Sequence, residues 1–191
     1  MGKNAELARI WGGDNDAIWL APAGTDTSGI DLDTDLTQVA GFEDVGWLET
    51  DTGITESATG SVEKIRGHQG NRVVRTRVTE GGTTVAFVAL EDKAQTRSLR
   101  YDIATATSGA GMRHEVRRPG QKVSRRVAVI DKFDADDDTI KERYVIPLLE
   151  IAANGDRQMV NSTIAGYPFI GEIIGDYDVY STDVENEVIG S

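Results

Sequence analysis

Two strand-like segments separated by a pair of glycines constrain this chain more than any other feature. Residues 72–80 (RVVRTRVTE) alternate between β-branched residues on one face and arginine and threonine on the other. Residues 83–90 (TTVAFVAL) are β-branched, aromatic or small on both faces. Two such runs about a Gly81-Gly82 turn are typical of a β-hairpin. The pattern predicts a hairpin whose first strand is half exposed and charged, and whose second strand is covered on both faces.

Further strands and one helix are predicted elsewhere. A helix is predicted over residues 90–101, where acids come first and arginines near the end. Residues 107–113 contain two glycines and are predicted to form a loop. Pro147 cannot donate to a neighbouring strand, so its strand is expected at an edge or a bulge. The predicted strands outside the hairpin are 17–21, 45–48, 54–58, 123–133, 143–152 and 158–164.

The length and the glycine content indicate one β-rich domain. A chain of 191 residues suits a single domain with appended arms. Twenty-one glycines against four prolines are typical of short strands joined by many turns. We therefore predict a single mainly β domain over residues 1–191. Residues 1–14 are expected to form an N-terminal arm, residues 24–38 an exposed loop, and residues 176–191 a C-terminal arm.

Composition excludes several classes of protein. The formal net charge of −12 argues against a general nucleic-acid binder, because such proteins displace counterions with basic side chains. The absence of cysteine excludes disulfides and thiolate metal sites, and fits assembly in a reducing cytoplasm. No apolar run approaches the ~20 residues that span a bilayer, so we expect no membrane insertion. The first residues, MGKNAELARIW, lack the features of a signal peptide.

No catalytic or metal-binding motif is complete. His68 and His114 lie far apart, with no HExxH and no GxSxG around a nucleophile. An EF-hand loop starting at Asp134 would need glycine and glutamate where the chain has Thr139 and Val145. Residues 109–114 begin like GxGxxG, but no strand and helix surround them. We predict that the protein is not an enzyme and uses no cofactor or metal.

One segment departs from the acidity of the chain. Residues 113–126 (RHEVRRPGQKVSRR) carry a net charge of +5, which leaves −17 on the remainder. A basic segment can bind nucleic acid, but it can equally meet the carboxylates of a neighbouring subunit, and we favour the protein contact. The candidate contact residues are Arg113, Arg117, Arg118, Lys122, Arg125 and Arg126.

The order of motifs between residues 17 and 101 resembles the bacteriophage tail tube family, of the type found in long non-contractile (siphophage) tails. The resemblance rests on AIWLAPAGT, then VGWLETDTGITES, then IRGHQGNRVVRTRVTEGGTTVAFVALE. His68 departs from the family pattern, which has an aromatic residue, typically tryptophan, before the Gln-Gly pair. The chain also has no room for the C-terminal immunoglobulin-like module that some members carry. The matching features fall at 22–25, 46–48, 53–57, 69–70, 73–78, 79–80 and 87–91.

The resemblance implies both a fold and a function. It implies a β-sandwich with one flanking helix, six copies of which form a ring with a continuous inner β-barrel. Rings would stack through a long loop and terminal arms into a hollow tube that conducts genomic DNA to the host. Partners would be further copies of the chain, a tape measure protein, and tail tip or initiator and terminator proteins. The protein would assemble in the bacterial cytoplasm and reside in the virion tail.

Two expectations follow from this interpretation. The loop 24–38 and both termini are expected to be mobile in a free subunit and ordered by neighbours, because they contain too little apolar surface to order alone. The inner wall of the tube is expected to be negative, so that phosphates are repelled and DNA slides without tight binding.

Two alternatives remain at this stage. The inner tube of a contractile tail or of a secretion system shares the architecture. A monomeric β-sandwich could instead bind carbohydrate or a host surface through Trp11, Trp19 and Trp47. However, Trp19 and Trp47 lie in apolar strand-like contexts and are expected in the core.

Overall fold

The computed structural model describes residues 7–182 except Gly67 and Gln69, and describes only the backbone of Thr79 and Glu80. Residues 1–6 of the predicted N-terminal arm, residues 183–191 of the predicted C-terminal arm and Gln69 of the family-like pattern therefore lie outside the described residues. The helix α1 spans Ala94–Arg100, and a 3₁₀ turn spans Leu36–Gln38. The strands are β1 Ala17–Pro22, β2 Glu43–Asp44, β3 Ile54–Arg66, β4 Val73–Ala89, β5 Asp102–Gly109, β6 Met112–Arg118, β7 Val123–Phe133, β8 Lys141–Ala153, β9 Tyr167–Ile173 and β10 Asp178–Ser181.

Eight strands form one antiparallel sheet in the order β2-β1-β7-β8-β9-β4-β3, with β10 added to β8. The strand β8 pairs with β7 on one side and with β10 and then β9 on the other. Its first part pairs with β10 through Val145, and its last part pairs with β9 from Leu149. Pro147 lies between them, at a register shift against β7, where no partner needs its missing N–H. The expectation of an edge or a bulge is therefore confirmed, and the structure shows a bulge.

The core lies between the strands β1 and β7 and the strands β4 and β9. Ile18 of β1 and Ile130 of β7 share one buried cluster with Phe87 of β4 and Phe169 of β9. The two phenylalanine rings lie 5.5 Å apart at a tilt of 43°. Leu99 brings α1 into the same cluster. The predicted fold class, a mainly β sandwich with one flanking helix, is confirmed.

The predicted hairpin at Gly81-Gly82 is wrong. Both glycines lie inside β4, which runs without interruption and pairs with β3 along its length. The chain turns instead between Arg66 and Val73, where Gly70 and Asn71 have φ of 73° and 49°. The two runs were predicted to pair with each other. They do not, because β3 is much longer than the predicted 54–58 and pairs with both runs. The second run is also buried on one face only: alternate residues from Val85 are buried and those between are partly exposed.

Residues 45–48 do not form the predicted strand. Gly46 has a φ of 87°, which breaks the extended conformation. Its position against the Glu91 carboxylate leaves no room for a side chain, since a Cβ there would lie 2.3 Å from that group. The Glu91 carboxylate accepts the backbone N–H of Trp47 at 3.1 Å. Trp47 is consequently 75% exposed, so the expectation that it belongs to the core is also wrong.

Three other predictions are corrected. The predicted loop 107–113 forms the tip of a hairpin of β5 and β6, which turns at Ala110 and Gly111. The predicted strand 158–164 is irregular, and the strand lies further on, at β9. The helix is shorter than predicted, because Lys93 is its N-cap and the acids 91 and 92 precede it.

The loop 24–38 is largely exposed but is anchored to the sheet. Ile30 and Leu36 are buried against Val129 and Val145 in a second small cluster. The Arg143 guanidinium donates to the backbone oxygens of Asp31 and Thr34, both at 2.7 Å. The same guanidinium is paired with the buried Asp131 carboxylate at 2.5 and 2.9 Å. The mobility of this loop in a free subunit stays a prediction.

Candidate assembly surfaces

The hairpin of β3 and β4 extends beyond the rest of the domain. The last pair between β4 and β9 joins Thr83 to Ile173. From Thr59, paired with Gly82, onwards, β3 and β4 pair only with each other. We call residues 59–82 the arm. At about 3.3 Å per residue, its paired part projects roughly 25 Å. A two-stranded ribbon of this kind is marginally stable without further contacts, so the arm needs a partner surface.

In the domain, one face of β3 and β4 packs against the core. In the arm, the same face is exposed to solvent. Even-numbered positions of β3 face the core, since Ile54 packs against it. A register shift after Ser61 places Val78 directly opposite Val62 on that same face. These two valines are 58% and 64% exposed. The face that is buried in the domain therefore carries two exposed valines near the base of the arm.

The arm is also basic. It carries five Lys or Arg against two Glu, a net charge of +3 in a chain of net charge −12. Arg77 lies directly opposite Glu63, whereas Arg75 lies opposite Ile65. An apolar, cationic ribbon is suited to an apolar, acidic partner surface.

The predicted basic contact segment 113–126 is divided between two places. Arg113 and Arg117 lie on β6, with side chains turned inward onto Glu115 at 2.6 and 2.7 Å. The Arg117 hydrogen bond, followed by that of Arg113, lowers the pKa of the nearly buried Glu115 carboxyl. The Arg117 guanidinium also stacks on Tyr101, 3.7 Å from its ring centroid. The Arg113 ion pair therefore lies within β6, whereas Arg117 also links β6 to Tyr101, which packs against the core.

The other four candidates are more available. Arg118 lies 3.7 Å from Asp102, and Arg125 lies 2.8 Å from Glu150. Among the described residues, Lys122 and Arg126 have no side-chain ion pair or hydrogen bond. Arg126 lines a cavity of about 460 Å³ between the β5–β6 hairpin and β1. Whether these residues contact a second subunit stays a prediction.

An aromatic and acidic surface lies at the far end of β4 from the arm. The backbone oxygen of Trp47 accepts the N–H of Leu90 at 2.8 Å, just beyond β4. Trp47 lines a pocket of about 180 Å³ together with Asp14, Asp16 and Glu49. No Lys or Arg of the described residues lines this pocket. Burial raises the pKa of Asp16, partly offset by a hydrogen bond from the Phe133 N–H. We call these four residues the Trp47 surface.

Sequence reasoning identified neither the arm nor the Trp47 surface. The alternation of valine and arginine in 72–80 signalled the arm, and the basic content of 64–77 would have marked it as distinctive. The exposure of Trp47 had no local signal, because Gly46 and Glu91 jointly produce it. In the described part of the chain, no three His, Asp or Glu residues are grouped to hold a metal ion. Among the same residues, no helix is long and apolar enough to cross a membrane.

The family model described as phage tail tube protein matches residues 1–176. The chain therefore belongs to the phage tail tube protein family, which is a family of structural virion tail proteins and not of enzymes. Membership implies assembly into a tube with other tail proteins, and sets aside the monomeric binding module. No curated protein matches the sequence.

Proposed function

We propose that this protein polymerises as stacked rings, each of six subunits, into the hollow tube of a long non-contractile tail. The tube conducts genomic DNA to the host. The observation that carries this proposal is the arm, which exposes Val62 and Val78 on a ribbon that no other described part of the chain covers. A ring arises when a heterologous contact, between two different patches of neighbouring subunits, closes on itself and leaves no open end.

Ring closure would also use the free edges of the sheet. The strand β3 ends the sheet, and along its 13 residues one edge has no partner among the described strands. The strand β10 leaves a second, shorter edge beside β8. Long open edges invite pairing with another chain. A neighbour that pairs with β3 would extend the sheet from one subunit to the next, which is the origin of the proposed continuous inner β-barrel.

The remaining partners follow from the tube. A tape measure protein would fill the lumen before ejection, and tip or initiator and terminator proteins would begin and end the polymer. The tube would assemble in the bacterial cytoplasm. An inner tube of a contractile tail would have the same subunit contacts, and binding of a sheath protein to purified tubes separates the two.

The inner wall of the tube is proposed to be net negative. Double-stranded DNA carries one charge per ~1.7 Å, so a basic wall would hold it at many points. Six copies carry a formal charge of −72, which follows from −12 per chain. The pairing of Arg117 with Glu115 and of Arg125 with Glu150 reduces the number of free cations in the basic segment. An assembled tube with Arg117, Arg118, Arg125 and Arg126 lining its channel, or with tight salt-sensitive DNA binding, would contradict this proposal.

Electron microscopy of the purified protein tests the proposed assembly. We expect rings or tubes without any cofactor, at high concentration or with a tip complex added as nucleator. The double variant Val62→Asp, Val78→Asp places charges on the apolar face of the arm and should remain folded but form no tubes. The matched control Asn161→Asp changes an exposed residue away from the arm and the loop 24–38 and should assemble normally. A wild-type protein that stays monomeric under all these conditions would contradict the proposal.

A further inference from the structure

The turn that follows β8 contains an asparagine–glycine pair. Asn154 is the only asparagine of the chain that precedes a glycine. The side-chain amide of an asparagine can be attacked by the backbone nitrogen of the next residue, and a glycine in that position hinders the attack least because it has no Cβ. This pair is therefore the place where the chain is most susceptible to spontaneous loss of a side-chain amide.

The local structure leaves the reacting groups accessible. Asn154 is exposed, and its own backbone N–H donates to the Pro168 oxygen at 3.0 Å. The Gly155 N–H has no hydrogen-bond partner among the described residues. A Cβ built on Gly155, whose φ is 76°, would meet nothing within 4 Å apart from its neighbours in the chain. The nitrogen is therefore unoccupied, and there is open space beside it for a ring to form.

A cation next to this pair lacks a charged partner. Arg100, the last residue of α1, donates from Nη2 to the Gly155 oxygen at 2.9 Å. Its Nη1 is buried, and in the described part of the chain this atom has no hydrogen-bond acceptor and the guanidinium has no ion pair. Leaving a buried charged donor unpaired is unfavourable. A carboxylate at position 154 would therefore supply what the Arg100 side chain lacks.

We propose that Asn154 is a site of spontaneous deamidation, and that the carboxylate formed there pairs with the Arg100 guanidinium. The Gly155 nitrogen gives its proton to solvent and bonds to the side-chain carbonyl carbon of Asn154. The amide nitrogen takes up one proton and leaves as ammonia, which gives a succinimide. Water then adds to either carbonyl of this ring and opens it to aspartate or isoaspartate. One water is consumed, one ammonia is released, and nothing is oxidised or reduced.

Either product adds one negative charge to the subunit beside an existing cation. A charge-assisted pair between a carboxylate and a guanidinium is stronger than the neutral amide contact it replaces. We therefore expect the modified subunit to stay folded and to be at least as stable as the unmodified one. The inference concerns the folded subunit, so it does not depend on how copies assemble.

Peptide mass spectrometry of aged protein tests the site. Folded wild-type protein is incubated in mildly alkaline buffer and then digested in acidic buffer, where ring formation is slow. Asn154 should convert at least about tenfold faster than Asn161, an exposed asparagine that is followed by serine. Isoelectric focusing of the intact protein should show an acidic species that accumulates in wild type and not in Asn154→Gln.

Thermal unfolding tests the pairing with Arg100. The variant Asn154→Asp makes the aspartate product directly and should raise the melting temperature by about 2 °C or more. The matched control Asn161→Asp should leave it unchanged. The gain should disappear when Asn154→Asp is compared with Asn154 in an Arg100→Gln background. It should also diminish as the pH falls below about 4, because the carboxylate is then protonated.

The two measurements test the two parts of the inference separately. Conversion of Asn154 that is no faster than that of Asn161 overturns the deamidation site. A variant Asn154→Asp that gains no stability, or gains as much without Arg100, overturns the pairing. Faster conversion at Asn154, together with a gain that requires Arg100, establishes both.

Discussion

The two halves of the β3–β4 hairpin have similar residues but very different surroundings. In the half that lies in the domain, Val85 and Phe87 are almost completely buried, because β9 and α1 lie beside and over them. In the arm, Val62 and Val78 occupy the same face of the same two strands and remain largely exposed. The difference shows that the alternating pattern specifies a strand and its faces, but not what covers them. The half that no described residue covers is the half that we assign to a second copy.

The largest effect on stability is expected in the covered half. The variant Phe87→Ala removes a buried ring that packs 5.5 Å from Phe169. It should lower the free energy of unfolding by about 3–5 kcal/mol. The matched control Val78→Ala, on the same face of the arm, should change it by less than about 0.5 kcal/mol. Denaturant unfolding of monomeric protein measures both, and equal losses would contradict the comparison.

A smaller but still large effect is expected at the anchor of the loop 24–38. The variant Asp131→Asn leaves the buried Arg143 guanidinium without its charged partner. Breaking a buried pair from one side costs about 3 kcal/mol. Hydrogen exchange should accelerate in residues 31–36, which Arg143 and the buried Leu36 hold, and should not change in the arm. Unchanged exchange in this loop would show that Arg143 does not anchor it.

The pH dependence of stability should come from the domain and not from the apolar face of the arm. Hydrogen bonds from Arg97, with a further one from Tyr167, lower the pKa of Asp92 to about 2. A carboxyl whose pKa is depressed on folding stabilises the folded state above its unfolded pKa, and this contribution disappears as the pH falls through about 2. The melting temperatures of wild type and Asp92→Asn should therefore differ most above pH 4 and converge toward pH 2. Val78→Ala should follow the wild-type profile in parallel, and an Asp92→Asn profile that also stays parallel would contradict the assignment.

A substitution in the arm should have the smallest effect on the stability of the subunit and the largest effect on its assembly. The variant Val78→Asp changes a side chain that is 64% exposed in the subunit, so its cost to monomer unfolding should stay within about 0.5 kcal/mol. In tubes the same carboxylate would be buried against a neighbouring copy. Sedimentation should show a monomer that does not polymerise at concentrations where Val78→Thr still does. Normal polymerisation of Val78→Asp would mean that this face is not an interface.

Local pattern was sufficient for the strands that lie in the core. Residues 17–21 are apolar throughout and residues 123–133 contain the apolar run 127–130, and β1 and β7 form there. The single helix and the mainly β class were also predictable, because dipole-compatible charges and turn-forming glycines are local properties. The basic segment 113–126 was found from charge alone, but charge could not show that Arg113 and Arg117 turn inward onto Glu115.

The amino-acid sequence by itself determined that this protein is β-rich, acidic and free of cysteine, and its motif order indicated the tail tube family. Only the tertiary structure decided that Gly81 and Gly82 continue a strand, because their partner on β3 lies more than twenty residues away. It likewise decided that Trp47 is exposed, since this depends on Glu91 closing over Gly46 from 45 residues further along the chain. Strand pairing and side-chain burial between segments far apart in the sequence depend on which segments come into contact. A local pattern carries no information about these contacts.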